Sequence, residues 1–430
     1  MYCDLHNHLY GSIPSEVLLE IGKKNPNRRW ELYVPAYEKE FGTKIDPKTF
    51  FEDFQSPQKF SRLYHFSEKA PFPKFQAKFN LIIALVAFDE RELEELPEKI
   101  LKHQFEKKVE FGEYRVMFPK DEPKEKFLSR LKSISEGFAK ANEVGKDLFS
   151  GKCVISLHRP ESNFRNYEWI KNEMEKNKIV KSEIVGLDFC FFEEGFPPKH
   201  KKDFFEQVEK DNKAEPNTAL TILYHVGEAW TDKTTFSACR WVLESSEFGA
   251  HRLGHALALG WNPELLSSQK ESESLEERKD TVDCFLENYE SIVSFGEFFP
   301  KSDLEKEQKV LQNQKNSQFT IEYGSFEKKS LETFQNFCMQ KIRKKKTVVE
   351  SCPVSNHLIG QIDYEHLPLK RFLQNQLNVV LSTDDPGIFD CDMDSQFSIA
   401  RDIGVSESDL ELLQKNAFEQ TSEKLVRTQI

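Results

Sequence analysis

The chain has 430 residues, of which 38% are hydrophobic and 31% are charged, and its formal net charge is −12 at pH 7. This composition provides enough apolar residues for a sizeable core, whereas the acidic balance argues against a nucleic-acid partner, which would require a basic surface. The longest fully apolar run covers residues 81–88 and is too short to cross a bilayer, so we predict no membrane span.

The N-terminus and the cysteines indicate the cellular setting. Residues 1–6 contain neither a basic segment nor an apolar signal sequence, so we predict a cytoplasmic protein. None of the eight cysteines belongs to a Cys-x-x-Cys pair, which argues against a thiolate zinc site or a redox motif. Several lie in apolar runs, and we interpret these as small buried residues rather than disulfide partners.

The first predicted element is a strand over residues 2–8. Side chains alternate along a strand, so His6 and His8 share one face. An amphipathic, proline-broken helical segment follows over residues 14–108, and its first part is rich in phenylalanine. Two interpretations of this insertion stay open: a local aromatic core, or an apolar lid that excludes water from a neighbouring pocket.

Seven further short apolar strands follow, separated by helical stretches. Alternating strands and helices indicate a parallel sheet, and eight such units indicate an α/β protein with a closed (β/α)8 TIM barrel. We therefore predict one barrel domain over residues 1–430. The seven strands are predicted at residues 109–118, 153–157, 184–190, 219–225, 250–255, 347–350 and 377–383.

A second insertion, over residues 260–346, separates the sixth and seventh predicted strands. It is longer than a barrel connection requires and rich in Glu, Lys, Ser and Gln. Because residues 269–277 are nearly all polar, we predict a charged insertion that is partly solvated and mobile. The basic run 341–346 directly precedes a strand and is interpreted as a solvated helix end.

Side chains suited to metal chemistry follow the predicted strands. In a (β/α)8 barrel the C-terminal ends of the strands converge on one face, so these side chains are predicted to meet. Imidazoles and a carboxylate are ligands that suit zinc. Adjacent carboxylates repel each other, so we assign Asp384 to a zinc ion and Asp385 to a substrate. The strand-end set is His6, His8, His225, His255, Asp384 and Asp385.

Four sequence motifs resemble those of the adenosine deaminase family, which belongs to the metal-dependent amidohydrolases. The resemblance spans the barrel apart from the 260–346 insertion. It implies zinc-dependent deamination of adenosine or a related 6-aminopurine nucleoside to an inosine-type product and ammonia. The motifs are Asp4–Ser12, His225–Glu228, Arg252–His255 and Ser382–Pro386, and the segment Cys352–Asn356 is also similar.

The resemblance implies one zinc ion per chain, which would lower the pKa of a water molecule to about 7 and so prepare it to attack C6 of the purine. Its implied ligands are His6, His8, His225 and Asp384.

The resemblance also implies two catalytic residues. Glu228 would donate a proton to purine N1, and His255 would orient the water and stabilise developing charge. Structural interpretations stay open beside these roles: a first-turn helix glutamate for Glu228, a core histidine for His255 and a helix N-cap for Asp385. The implied substrate-binding residues are His8, Tyr10, Gly227 and Asp385.

Two positions depart from the family pattern. Tyr10 stands where the family usually has an aspartate that holds the ribose 5′-hydroxyl, and a tyrosine cannot accept hydrogen bonds as an ionised carboxylate does. Phe191 lies where the family usually has a glycine in contact with the purine. The reaction type is therefore predicted more firmly than the substrate.

Two other functions stay open: an amidohydrolase that acts on another aminopurine or a cyclic amide, and a non-catalytic zinc-binding barrel. Two-metal amidohydrolases carry a bridging lysine near the end of strand four, and residues 189–194 contain none, which favours one metal. Glu228 and His255 argue against the non-catalytic barrel, because zinc binding alone requires neither. The Pro-Cys-x-x-Cys signature of the nucleic-acid deaminases is absent.

Overall fold

The computed structural model describes residues 1–267, 269–314 and 318–427. Eight of its strands form one parallel sheet in the order β1-β2-β3-β4-β5-β6-β9-β10, and β7 and β8 form a separate antiparallel pair. The strands are β1 (Tyr2–His8), β2 (Val109–Met117), β3 (Ser150–Ser156), β4 (Ile184–Asp188), β5 (Thr221–Val226), β6 (Arg252–His255), β7 (Lys270–Ser274), β8 (Gln318–Glu322), β9 (Val348–Ser351) and β10 (Asn378–Leu381).

The sheet closes between its first and last strands. Asn7 and Asp384 form a parallel bridge just beyond β10. The His8 N–H donates to the Asp384 carbonyl at 2.9 Å, and the Asp384 N–H donates to the His6 carbonyl at 2.8 Å. All eight predicted barrel strands are present, so the predicted (β/α)8 TIM barrel is confirmed.

Helices surround the barrel and build both insertions. They are α1 (Ser15–Lys24), α2 (Trp30–Phe41), α3 (Phe50–Asp53), α4 (Pro57–Tyr64), α5 (Phe72–Leu85), α6 (Glu90–Glu106), α7 (Lys124–Gly145), α8 (Phe164–Lys176), α9 (Lys178–Glu183), α10 (Lys202–Ala214), α11 (Thr235–Phe248), α12 (Leu257–Gly260), α13 (Leu275–Glu287), α14 (Tyr289–Val293), α15 (Lys301–Asn313), α16 (Ser325–Lys345), α17 (Pro353–Leu358), α18 (Leu369–Gln374), α19 (Pro386–Phe389), α20 (Met393–Asp402), α21 (Glu407–Glu419) and α22 (Ser422–Val426). Short 3₁₀ turns cover Pro198–Lys201, Pro216–Thr218, Pro263–Leu266 and Tyr364–His366.

The predicted helical insertion between β1 and β2 consists of α1–α6. Phe50 and Phe60 are fully buried there, and Phe50 packs against Trp30 with ring centroids 4.8 Å apart. These rings form the local aromatic core that was one interpretation of the phenylalanine-rich sequence. The aromatic rings of α5 instead line a cavity.

The second insertion is folded where the sequence indicated a solvated, mobile run. Residues 270–274 form β7, and Glu273 on that strand is only 1% exposed. Its carboxylate accepts hydrogen bonds from the Thr234 N–H and hydroxyl, and Glu271 accepts from the Thr235 N–H, so both acids serve the first turn of α11. The acidic residues of this run therefore have a structural role, because the partial positive charge at the N-terminus of a helix stabilises carboxylates.

Charged residues fill part of the barrel interior. Glu350 on β9 lies 2.6 Å from an Arg115 guanidinium nitrogen and 2.8 Å from one of Arg252. Arg252 also lies 2.6 Å from Glu113, which accepts the Ser422 N–H of α22. Buried charges are tolerated only when paired in this way. The network holds Glu350 directly beneath the strand ends that carry the candidate site.

Among the described residues, none of the helices combines the length and the apolar character that crossing a bilayer requires.

Candidate active site

Four strand-end side chains converge at one face of the barrel. One ligand atom from each of His6, His225, His255 and Asp384 lies within 4.8 Å of the others, and all four residues are buried. His8 completes the group, because its Nε2 lies 3.2 Å from Asp384 Oδ1. The predicted meeting of side chains from the first, fifth, sixth and eighth barrel strands is therefore observed.

Two of the buried imidazoles are oriented by carboxylates behind them. His6 Nδ1 lies 2.8 Å from Glu350, and His225 Nδ1 lies 3.0 Å from Asp188. The Nε2 atoms of both rings are buried and have no hydrogen-bond partner in the described part of the chain. A carboxylate that holds one ring nitrogen leaves the other as a metal ligand, so these residues fit a bound divalent metal such as zinc.

The compact group differs from the predicted ligand set in one member, since it contains His255 and the prediction named His8. The His6 ring centroid is 5.6 Å from that of His8 and 5.0 Å from that of His255. His8 faces Asp384, whereas His255 Nε2 lies 3.6 Å from the Glu228 carboxylate. This arrangement is compatible with His8 as a ligand and His255 as a catalytic residue, and both roles stay predictions.

Backbone strain accompanies two of these strand ends. His255 has φ of 64° and Asp384 has φ of 68°, in the left-handed region that side chains with a Cβ rarely adopt. Each such residue costs of the order of 1–3 kcal/mol and persists only where the surrounding structure enforces it. Strain at functional sites is common because it aims a side chain at a required point.

Two glycines make room for the cluster. A Cβ on Gly254 would lie 2.8 Å from His6 Cε1, and a Cβ on Gly11 would lie 1.5 Å from Asp385 Oδ1. Asp385 itself makes no capping hydrogen bond at the start of α19, and its Oδ1 is buried without a partner among the described residues. The N-cap interpretation of Asp385 is therefore not observed, and its carboxyl is available to a ligand.

Glu228 lies at the wall of the site, with 17% of its side chain exposed. Burial raises the pKa of the Glu228 carboxyl, against the attraction of the neighbouring His255. A raised pKa keeps a carboxyl protonated closer to neutral pH, which is what a proton donor requires.

Gly227 is placed differently from the other predicted substrate-binding residues. Its N–H donates to Glu193 at 2.8 Å, and its carbonyl accepts the Ala258 N–H at 3.1 Å. Its φ of 68° suits glycine at this sharp turn. Both backbone groups are thus used inside the protein, and a contact between Gly227 and substrate stays a prediction.

A cavity of about 370 Å³ opens onto the cluster. One wall consists of α5 residues Phe72, Phe75, Phe79 and Ile82, so the first insertion also takes the lid-like position that the sequence offered as its second interpretation. The predicted site residues on the cavity surface are His8, Tyr10, His225, Glu228, His255, Asp384 and Asp385.

Comparisons with known proteins agree with this site. Residues 334–424 match the family model named adenosine deaminase. An adenosine deaminase from Shewanella denitrificans is 35% identical over 83 residues, which are 19% of this chain and 25% of that relative. The match thus spans about a quarter of the curated relative's length.

Solved structures extend the similarity across the fold. The apo structure of the N6-methyl-AMP deaminase from Arabidopsis thaliana has a TM-score of 0.56 at 17% identity, covering 98% of this chain and 91% of that one. An amidohydrolase from Burkhoderia ambifaria with bound Zn has a TM-score of 0.54 at 12% identity, covering 98% and 85%. At these identities the likeness shows a shared fold.

Part of this chain, including residues 334–424, is similar to the adenosine deaminase family.

The two positions that depart from the adenosine deaminase family pattern both line the cavity. The Tyr10 hydroxyl donates to Glu92 at 3.2 Å, and its ring packs 4.9 Å from that of Phe88. Phe191 has φ of 74°, a conformation that favours glycine, and its side chain is 57% exposed at the cavity mouth. A bulky aromatic side chain therefore occupies the mouth at the position of the family's usual glycine.

Three residues that orient the histidines were not predicted as site residues: Asp188, Glu350 and Asn356. The Asn356 Oδ1 lies 2.9 Å from His255 Nδ1, so His255, like His6 and His225, has its Nδ1 held by a side-chain oxygen. Asp188 and Glu350 each interrupt an apolar strand, and an isolated acid in such a run is the signal that could have identified them.

Proposed function

We propose that this protein is a zinc-dependent hydrolytic deaminase that converts adenosine or a related 6-aminopurine nucleoside to the inosine-type product and ammonia. One observation carries the proposal: Glu228, His225, His255 and Asp384 all line one cavity of about 370 Å³. A zinc-binding module without activity would require neither Glu228 at the cavity nor His255 beside it.

Bound zinc supplies a Lewis acid that makes a water molecule nucleophilic at neutral pH. Attack at purine C6 moves electron density onto N1, so a proton must arrive there. Glu228 is the proposed donor, and its raised pKa supports this role. His255 and Asp385 orient the attacking water. The proton that the added hydroxyl group then loses passes to N6, so that cleavage of the C6–N6 bond releases ammonia and leaves a carbonyl at C6.

The apolar walls of the cavity suit a flat purine ring. The rings of α5 cover one side, and Phe88 and Phe118 contribute further apolar surface. We propose that the 14–108 insertion is a lid within a single domain, because apolar walls exclude water from the reacting carbon. The 260–346 insertion lines a second cavity next to Trp230. We propose that this insertion stabilises the barrel through its hydrogen bonds to the start of α11.

A second substrate class, the 5′-monophosphates of 6-aminopurines, is favoured by Arg29. This residue lines the cavity and makes no ion pair in the described part of the chain; its guanidinium donates only to the Val86 carbonyl, at 3.2 Å. A guanidinium without a carboxylate partner suits a phosphate group. The fold is shared with an enzyme named for a methylated adenosine monophosphate.

The test of the proposed function replaces Glu228 by Gln, which keeps the shape of the side chain and removes its acidic proton. We expect purified parent protein to contain about one zinc per chain and to release ammonia from a 6-aminopurine nucleoside or nucleotide. Glu228→Gln should retain zinc and lose turnover by about 10²–10⁴-fold, the usual contribution of a general acid. Zinc by elemental analysis and ammonia by coupled assay give the result.

The substrates compared are adenosine, 2′-deoxyadenosine, adenine, AMP and N6-methyl-AMP. A parent protein that deaminates none of them contradicts the proposed function. Equal rates for the parent and Glu228→Gln contradict the assignment of the proton donor alone.

A further inference from the structure

A buried carboxylate outside the catalytic set joins the loop after β4 to the loop that carries Glu228. Glu193 is 6% exposed and makes no ion pair among the described residues. One carboxylate oxygen accepts the Gly227 N–H at 2.8 Å, and the other accepts the Ala229 N–H at 3.2 Å. The two donors stand immediately before and after Glu228.

The same two loops are joined at further points. One Arg159 guanidinium nitrogen donates to the Phe189 carbonyl at 2.7 Å and to the His225 carbonyl at 2.6 Å. Beyond Glu193, the Gly195 N–H donates to the Asp232 carboxylate at 2.8 Å. The loop after β5 is therefore fixed to the loop after β4 on both sides of Glu228.

The Ala229 N–H belongs to the peptide plane that follows Glu228, and the Gly227 N–H lies one peptide plane further back, so the two hydrogen bonds restrain the backbone on both sides of Glu228. This arrangement is costly, because burial raises the pKa of Glu193 to about 7 and disfavours the ionised form that accepts both hydrogen bonds. Lys233 and Arg159 oppose that rise, whereas Glu194 and Glu228 add to it. Packing alone does not explain a glutamate at this position, because an apolar side chain would fill the space without the cost of burying a carboxyl group.

We propose that Glu193 is a positioning residue, which aims the Glu228 carboxyl at the purine by binding the N–H groups of Gly227 and Ala229. The proposal rests on the proposed function, in which Glu228 is the proton donor. Glutamine at this position has one carbonyl oxygen, so it can accept one N–H while its own amide group faces the other. Displacement of a catalytic group by about 1 Å can cost about 10²-fold in rate.

The test compares Glu193→Gln with Glu194→Gln, a matched control. Glu194 is adjacent, only partly buried and near Glu228 electrostatically, but its hydrogen bond is a long one of 3.4 Å from the Thr231 hydroxyl. We expect Glu193→Gln to lower kcat by about 10²-fold with KM changed by less than about threefold. Glu194→Gln should leave both constants near parent values, and all variants should retain zinc.

A double variant separates positioning from general damage to the fold. If Glu193 acts through Glu228, adding Glu193→Gln to Glu228→Gln should lower the residual rate no further. A further loss of similar size in the double variant, or an unchanged kcat in Glu193→Gln, overturns the proposal. If Glu193→Gln does not fold, Glu193→Asp keeps the charge but withdraws the carboxyl, and an unchanged kcat in that variant overturns the proposal too.

An inactive parent protein would contradict the proposed function. An active parent with unaffected Glu193 variants would contradict the positioning role alone.

Discussion

Each buried imidazole of the candidate site has one nitrogen held from behind, and this pairing decides what its other nitrogen can do. Glu350, Asp188 and Asn356 hold His6, His225 and His255 in turn. The pKa of Glu350 lies below its ordinary range: burial acts to raise it, but Arg115 and Arg252 outweigh burial. An ionised Glu350 favours the His6 tautomer whose Nε2 lone pair faces the metal position.

Arg29 gives a residue-scale prediction about substrate. Arg29→Gln should raise KM for a 5′-monophosphate by about tenfold or more, because a charge-assisted hydrogen bond contributes roughly 1.5–3 kcal/mol. KM for the corresponding nucleoside should not change. Steady-state kinetics with AMP, N6-methyl-AMP and adenosine provide the measurement.

Arg28→Gln is the control for this prediction. Arg28 is the neighbouring arginine, but it donates to the Gly22 and Lys23 carbonyls and packs on the Phe51 ring away from the cavity. An equal rise in KM for nucleoside and nucleotide in Arg29→Gln would show that this side chain does not recognise phosphate.

At the scale of elements, strand ends decide the site geometry. The last barrel strand was predicted over residues 377–383, yet β10 ends at Leu381. Beyond it, the Thr383 hydroxyl donates to Asp4 at 2.6 Å and also contacts Asn7 at 2.8 Å. These contacts lie immediately before Asp384, which bridges to β1 and presents its carboxylate to the histidines.

The β7–β8 pair is the element whose structure differs most from what its amino-acid composition indicated. Its acids bind the first turn of α11, and burial raises the pKa of Glu273, although donors on Ser237 and Thr234 oppose the rise. A carboxyl with a raised folded-state pKa contributes stability below its unfolded-state pKa and loses that contribution as pH rises through the folded value.

Glu273→Gln should remove this dependence on pH. The Tm of the parent relative to that of the variant is therefore expected to fall as pH rises from about 4 to about 8, measured by thermal unfolding. Glu322→Gln is the control, because Glu322 is exposed on β8 and pairs with Lys270 at 3.1 Å. A parent-to-variant difference in Tm that is constant with pH would contradict the prediction.

For the whole molecule, the candidate metal site joins the two ends of the chain. His6 lies on β1, His225 on β5 and Asp384 just after β10, so one bound ion would link segments that are otherwise held by barrel closure. A ligand that binds only the folded state stabilises it by about 4 kcal/mol when its free concentration is 1,000 times Kd.

Removal of zinc with a chelator should therefore lower Tm, and added zinc should restore it. His225→Ala should abolish the zinc-dependent part of the shift, because it removes one of the two imidazole nitrogens that are buried without a hydrogen-bond partner among the described residues. Calorimetry on metal-free and zinc-loaded samples gives the measurement. A parent protein whose Tm does not respond to zinc would contradict the assigned site.

The sequence by itself determined the barrel and most members of the site. Alternating apolar strands and helices require a closed parallel sheet, and the motifs place His6, His225 and Asp384 at strand ends that must converge. These properties are local, so they can be read along the chain. The partners of those residues depend on contacts between distant segments, such as Glu350 with His6 and Glu193 with the Gly227 turn. Only the tertiary structure decided those contacts, because hydrogen-bond partners 34 and 344 residues apart leave no periodic signal in the sequence.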